Sequence, residues 1–461
     1  MHDMQTLDKR QFRAAEPGEP AVRAAVLEIT RAAFLINPET GLRIEGDTPD
    51  ELPMVQTLFD RGAVDSLHTA TVDSAAAGCV LYTEGTLTGN PGARPPGLTI
   101  MGVAPDRQRR GIGTGLLKWS VARLHASGGS MAGCLLALCA FSFADTLTVV
   151  SVGDVMFAGK GTRWLDSLGV HYPMAHVRDE LSRADLRICN LEMPIADAGV
   201  AFDKTFTFRA PVRHAGVLLD AGFDVAHLGN NHVMDNGVAA FESTLRVLDS
   251  LGIAHVAAGM TLAEARRPAI LERKGVKIGV LGYSLTYPEE FWADSARPGT
   301  VFGDSTWLRD DITALRNQVD YLFVIFHWGA EKMTTPKDYQ KALGRLSIDL
   351  GADAVFGHHP HVLQGIELYK GKIIAYSLGN FSFASWTNAV WDSAILRLYF
   401  LDRALLKAEV VPLNINNFQV EFQTRILKGP AARRSLSALA RQCRSLRTTL
   451  RIQGDRGWIV P

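Results

Sequence analysis

The chain has 461 residues, enough for two or three domains of usual size, and 47% of them are hydrophobic, as in a well-packed protein. Its 48 basic and 48 acidic residues cancel, so no net field gathers nucleic acid and no acidic excess marks a solvating tail. Five cysteines, at 79, 134, 139, 189 and 443, follow no paired spacing, which argues against a disulfide framework or a zinc finger.

The first patterned stretch is "GLTIMGVAPDRQRRGIGTGLLKWSVARLHASG", residues 97–128. It reads as an apolar strand, a glycine turn and an amphipathic helix from near Gly113, with Leu116, Leu117, Val121 and Leu124 on one face. Gly111 and Gly113 let backbone N–H groups approach an anion, and the helix N-terminus with Arg109 and Arg110 adds positive charge. A solvated turn is the alternative for these arginines. The string resembles the acetyl-CoA-binding motif of the GNAT N-acetyltransferases, with Gln108, Gly111 and Gly113 on its Q/R-x-x-G-x-G pattern, and the likeness extends loosely over 11–128. The resemblance implies an α+β domain over 1–128 in which Gln108, Arg109, Arg110, Gly111 and Gly113 hold the pyrophosphate of acetyl-CoA. The strands and helix that complete the donor cleft in that family are missing, so an incomplete domain with negligible acetyl transfer is expected.

The apolar run "MAGCLLALCAFSFADT", 131–146, is shorter than the ~20 residues of a membrane-spanning helix. It suits a secretory h-region, with Ser142 and Ala144 as small residues before a cut ahead of Asp145 and with Lys118 or Arg123 upstream as the positive charge. A signal normally begins a chain. Its position predicts a junction between two once separate proteins, or an exported protein that starts at Met131 or near Val121; a buried core segment is the alternative. Residues 146–461 are then expected in the cell envelope or exported, and in the cytoplasm if the run is not used as a signal.

Beyond the junction, apolar runs at 146–152, 185–191, 223–228, 276–282, 320–327, 352–357 and 372–378 alternate with helical stretches, which predicts an α/β sandwich with largely buried strands. Polar residues recur at their carboxyl ends: Asp154, Glu192, Asn230 with Asn231 and His232, His327, and then His358, His359 and His361 in "GHHPHV". Ligands bind at that edge of open α/β sheets. Carboxylate, amide and imidazole together are the donor set for a divalent Mn, Fe or Zn ion, and burying so many polar groups without one is costly. A metal-free hydrogen-bonded network is the alternative.

"SVGDVMFAGKG", "NLEMPI", "LGNNHVMDNG", "FHWGAE", "GHHPHVLQGIE" and "YSLGNFSF" follow one another in the order of motifs in the bacterial capsule synthesis protein CapA family, the poly-γ-glutamate biosynthesis group, which the chain resembles over 146–415. That family is similar to calcineurin-like metallophosphoesterases. The resemblance implies a four-layer αββα sandwich with a two-metal site: Asp154, Glu192, Asn231, His327, His359 and His361 as ligands, and His232 as the acid that protonates a leaving group. His358 is expected to support them, with Pro360 fixing the backbone between His359 and His361. Two positions depart from the phosphoesterase pattern. Its D-x-H is Asp154, Val155 and Met156 here, which removes a ligand, and the bridging aspartate is Glu192. Trp328, Tyr376, Phe381 and Trp386 lie near the motifs as a candidate substrate wall, although aromatic residues beside strands are commonly core.

The tail interleaves Arg433, Arg434, Arg441, Arg444, Arg447 and Arg451 with Leu436, Leu439 and Leu446, which predicts a basic amphipathic helix within an extension over 416–461. Such a helix lies on anionic lipid, on an acidic protein surface, or simply in solvent. Taken together, these readings predict a divalent-metal hydrolase of capsule or envelope polymer metabolism. Its expected partners are an anionic polymer or phosphoester-like substrate and membrane-bound capsule synthesis machinery. A non-catalytic assembly subunit, or a bifunctional protein with a working acetyltransferase, are the alternatives.

Overall fold

The computed structural model describes residues 146–387 and 392–461 throughout and, of the first 145, three strands. The chain divides into two compact units, Met1–Phe143 and Ala144–Pro461. In the first, β1 (His68–Asp73), β2 (Gly78–Thr83) and β3 (Leu98–Val103) form an antiparallel sheet in that order. β3 coincides with the strand expected before the glycine turn; the turn itself, with Gln108, Arg109, Arg110, Gly111 and Gly113, and the apolar run up to 145 lie outside the described residues.

The second unit holds two large sheets. One is built around β4 (Leu147–Met156), followed in parallel by β5 (Leu186–Leu191), β6 (Val225–His227) and β7 (Ala254–Val256). On its other side β4 pairs with β16 (Asn380–Phe383) and β17 (Asp392–Leu401), and the sheet continues through β18 (Ala404–Asn414) to β19 (Arg425–Ile426) and to β21 (Arg456–Ile459) with β20 (Arg451–Gln453). The second sheet runs β14 (Ile366–Tyr369), β15 (Lys372–Ala375), β13 (Ala354–His358), β12 (Tyr321–His327), β10 (Val276–Ser284) and β9 (Ala269–Arg273). A short ribbon joins β8 (Ala258–Gly259) to β11 (Gly299–Thr300). All seven runs read from the sequence as strands fall on observed ones. Every residue of β4, β12 and β13 is buried, as in strands covered on both faces.

The period of two along these strands sorts side chains into layers. Val149, Ile188 and Val225 of the first sheet meet Ile278, Phe323 and Phe356 of the second in one core between them. The opposite residues of the first sheet, Val150, Cys189 and Ala226, pack under the helix Gly237–Ser250 through Phe241 and Leu248. Leu322, Val324 and Val355 of the second pack under Ser305–Arg316 and Asp338–Asp349. The order is helix, sheet, sheet, helix. Residues 416–461 are part of this unit rather than an extension from it: β21 pairs with β18, and Leu436, Leu439 and Cys443 of the helix Gly429–Ser445 enter the core between the sheets.

Two glycines let the chain converge at the strand ends. A Cβ at Gly153 would lie 2.0 Å from the Gly379 carbonyl oxygen, where the Asp154 amide donates to that same oxygen at 2.9 Å. A Cβ at Gly357 would lie 2.1 Å from the Tyr376 carbonyl oxygen, beside the Trp328 indole that donates to it at 2.9 Å. Trp328, Tyr376 and Phe381 are fully buried in apolar cores, so they form no substrate wall; Trp386 packs at the edge of the helix-covered core.

Candidate metal centre

Both sheets deliver polar side chains to one place at their carboxyl ends. On β4, Asp154 stands in register with Asn190 on β5 and Asn380 on β16. Glu192 follows β5 directly, two positions after Asn190 and on the same face of the chain. From the second sheet, His327 and His358 end β12 and β13 as a register pair. His359 and His361 follow around Pro360, and both have left-handed backbones, φ 94° and 58°. Such conformations cost about 1–3 kcal/mol each at a non-glycine residue and persist where a site over-determines them.

The side chains converge closely. Asp154 accepts from Asn190 Nδ2 at 2.9 Å, and its carboxylate lies 3.0 Å from His358 Nδ1 and 3.2 Å from His361 Nδ1. Glu192 Oε1 lies 3.5 Å from His327 Nε2 and 3.7 Å from His361 Nε2. His327 Nε2 is also 2.8 Å from the Asn231 amide oxygen. Two triads therefore form, Asp154 with Glu192 and His361, and Glu192 with His327 and His359, the ligand atoms of each lying within 4.8 Å of one another. Glu192 belongs to both. Asp154, Glu192 and His327 are fully buried, while Asn231, His359 and His361 are partly exposed and form the open side.

The electrostatics fit a cation. Burial alone would raise the Asp154 carboxyl, but hydrogen bonds and charge from His358 and His361 hold it well below the usual range. Burial, and then repulsion by Asp154, push Glu192 well above it. Burial would lower His361, yet the charge of Glu192 and the hydrogen bond and charge of Asp154 outweigh it and raise the imidazole to about 10. Burial holds His327 well below the ordinary histidine value and lowers His359 to about 3, which favours at both the neutral imidazole, the form that ligates a metal. Glu192 Oε1 and His359 Nδ1 are buried with no hydrogen-bond partner. A divalent cation would supply the partner that these two atoms lack. Asp154, Glu192, Asn231, His327, His359 and His361 are the residues that would hold it, all within the strand-end cluster anticipated from the sequence.

His232, the expected acid, is buried beside the cluster with Nδ1 2.8 Å from Asp235 Oδ2. Burial lowers its pKa, and Asp235 only partly opposes this. Lys204 pairs with the other Asp235 oxygen at 2.5 Å and donates to the Asn231 backbone oxygen. His358 takes the supporting place expected for it, on Asp154 Oδ1.

Four participants were not anticipated. Asn190 donates to Asp154 and Glu192 and through its Oδ1 meets His227 Nδ1 at 3.1 Å and Asn230 Nδ2 at 3.2 Å. Its place two residues before Glu192 on one strand face is a legible signal. Asp235, three residues after His232, is another. His227 carried only its position inside a buried strand, and Lys204 carried no local signal.

A family model described as bacterial capsule synthesis protein PGA_cap matches residues 148–385. The chain is 30% identical over 279 residues to the capsule biosynthesis protein CapA of Bacillus anthracis, across 59% of this chain and 68% of that one. It is 31% identical over 275 residues to the PGA biosynthesis protein CapA of Bacillus subtilis (strain 168), across 59% and 72%. Among solved structures, the 5'-nucleotidase precursor from Thermus thermophilus is similar at 15% identity and a TM-score of 0.37, over 66% of this chain and 60% of that one.

Proposed function

Since the chain belongs to the bacterial capsule synthesis protein PGA_cap family, we propose that its second unit is a divalent-metal hydrolase acting on a capsule polymer of the poly-γ-glutamate type or on a phosphoester-like precursor of it. The observation that carries this reading is Glu192, a fully buried carboxylate shared by two ligand triads, with one oxygen lacking any hydrogen-bond partner. A bound Mn, Fe or Zn ion supplies Lewis acidity and neutralises charge developing at the attacked centre. The protein's own groups do the rest. Asn190 fixes the two carboxylates relative to each other. Asp235 holds His232 by Nδ1 and favours its imidazolium form against burial, and the Nε2 proton of that form is the one that would pass to a departing oxygen. Lys204 pairs with the second oxygen of Asp235. Placement in the cell envelope is part of the same proposal; no helix among the described residues is long and apolar enough to cross a membrane.

The test compares the parent with His359→Ala, His361→Ala and His232→Ala for metal content and for turnover of a generic phosphodiester and a γ-glutamyl polymer. Both ligand variants should lose metal. His232→Ala should keep it and lose about 10²–10⁴-fold in turnover. Retention of the parent's full metal complement by both ligand variants overturns the reading. Met156 favours a second reading, a polymer-binding assembly subunit: it occupies the place of the missing histidine ligand and lies buried in the apolar core. Bound metal with no turnover of either substrate selects that reading.

A further inference from the structure

The helix Gly429–Ser445 and the residues after it carry a charge pattern that the metal centre does not use. Between residues 422 and 454 the chain has eight basic residues, at 425, 428, 433, 434, 441, 444, 447 and 451, and no acidic one, in a protein whose total charge is zero. At ~100° per residue, Arg433, Arg434, Arg441 and Arg444 fall within about a 100° arc of the helix, spread along ~16 Å of its axis. All four are exposed, as are Arg447 and Arg451, and among the described residues none of the six forms an ion pair. Ala432, Leu436, Leu439 and Cys443 occupy the opposite arc and are buried.

This arrangement separates two kinds of anionic partner. Binding flat on a membrane requires an apolar face to enter the lipid boundary. Here Leu436, Leu439, Leu446 and Leu450 are all committed to the protein's interior, so the exposed surface offers charge alone. A row of guanidinium groups on a rigid helix instead matches a chain of regularly repeated carboxylates. The helix also leans on the segment leaving the histidine triplet: Cys443 Sγ accepts from the Ile366 amide at 3.3 Å, and Thr448 Oγ1 accepts from the Leu368 amide at 2.7 Å. These bonds tie the helix end to β14 of the second sheet and hold the arginine face in place.

We propose that this arginine face is a docking strip for a soluble polycarboxylate chain. The proposal deepens the proposed function and rests on its polymer reading. The full chain is tested with fluorescently labelled poly-γ-glutamate, by anisotropy, and with vesicles containing phosphatidylglycerol, by co-sedimentation. The variant replaces Arg433, Arg434, Arg441 and Arg444 together by Gln. The parent should bind the polymer with an affinity that falls steeply from about 50 to 300 mM salt, the variant at least about tenfold more weakly and with a shallower salt dependence. Metal content and turnover of a small phosphodiester should be the same in both. That invariance keeps the two readings apart: loss of the metal centre abolishes small-substrate turnover, whereas loss of the strip touches only polymer binding. Equal polymer affinity of parent and variant overturns the docking strip, as does stronger capture of the parent by vesicles than by polymer.

Discussion

At the residue scale, the centre depends on one amide. Asn190 Nδ2 lies 2.9 Å from Asp154 Oδ1, 3.2 Å from Glu192 Oε2 and 3.3 Å from His327 Nδ1, while its Oδ1 receives Asn230 at 3.2 Å. It touches candidate ligands from both sheets and lies outside the two triads itself. Residues in that role typically cost 10–100-fold in metal affinity when replaced. Asn190→Ala is therefore expected to fold, to bind metal about 10–100-fold more weakly in a competitive chelator titration, and to lose roughly 1–3 kcal/mol of stability from the unpaired groups left behind. Unchanged metal affinity would show that the carboxylates hold their geometry unaided. Asp154, Glu192, Asn231, His327, His359 and His361 stand out in the sequence because each lies at or a few positions past the end of an apolar run and sits in a short motif. Asn190 does not stand out because inside a buried strand it reads as a structural amide, and Lys204 does not because its partner Asp235 is 31 positions away.

At the element scale, the strands that were legible are those whose burial is apolar on both faces. The β17–β18 hairpin was not, since Arg397 and Glu409 interrupt its apolar run with charges that alone suggest solvent. The structure buries them as a pair. Arg397, with its side chain 2% exposed, donates to Glu409 and, at 2.8 Å, to Glu180 in the short helix Arg178–Ser182; Arg456 on β21 also donates to Glu180. A charge buried by partners 217 and 12 positions away leaves no local trace. Removing one member of a buried ion pair costs about 3–5 kcal/mol, so Arg397→Met should lower unfolding stability by that order in denaturant titration. The cluster also sets an acid limit. Burial would raise Glu180, but Arg397 and Arg456 outweigh it and hold it below its ordinary value. A carboxyl lowered in the folded state contributes stability above its unfolded pKa of ~4.3, and loses it as pH falls through the folded value. Glu180→Gln should accordingly show a flatter decline of stability below about pH 4.3 than the parent, and parallel curves would remove Glu180 from the acid transition.

At the scale of the whole second unit, the C-terminal residues decide where the fold ends. The sequence motifs stop near 383, and the family model ends at 385, which makes everything after 415 look dispensable. Packing says otherwise. Leu436, Leu439, Cys443, Leu450 and Ile459 lie in the same core as Val149 of β4 and Phe323 of β12, and β21 is hydrogen-bonded to β18 along Ala408, Glu409 and Val410. The helix Gly429–Ser445 closes the gap between the two sheets at the β14 and β18 side. Truncating one buried leucine to alanine typically costs about 2–5 kcal/mol, and whole domains are stable by only about 5–15 kcal/mol. Deleting three leucines, an isoleucine and an edge strand together exceeds that margin. A chain spanning 144–415 should therefore expose apolar surface to a hydrophobic dye and lack a cooperative thermal transition, whereas 144–461 should melt cooperatively and hold metal. A cooperative transition of the shorter chain within a few degrees of the longer one would mean that the two sheets seal their shared core by themselves. The arginine strip would then be a surface carried on a detachable helix rather than one built into the fold that presents the metal centre.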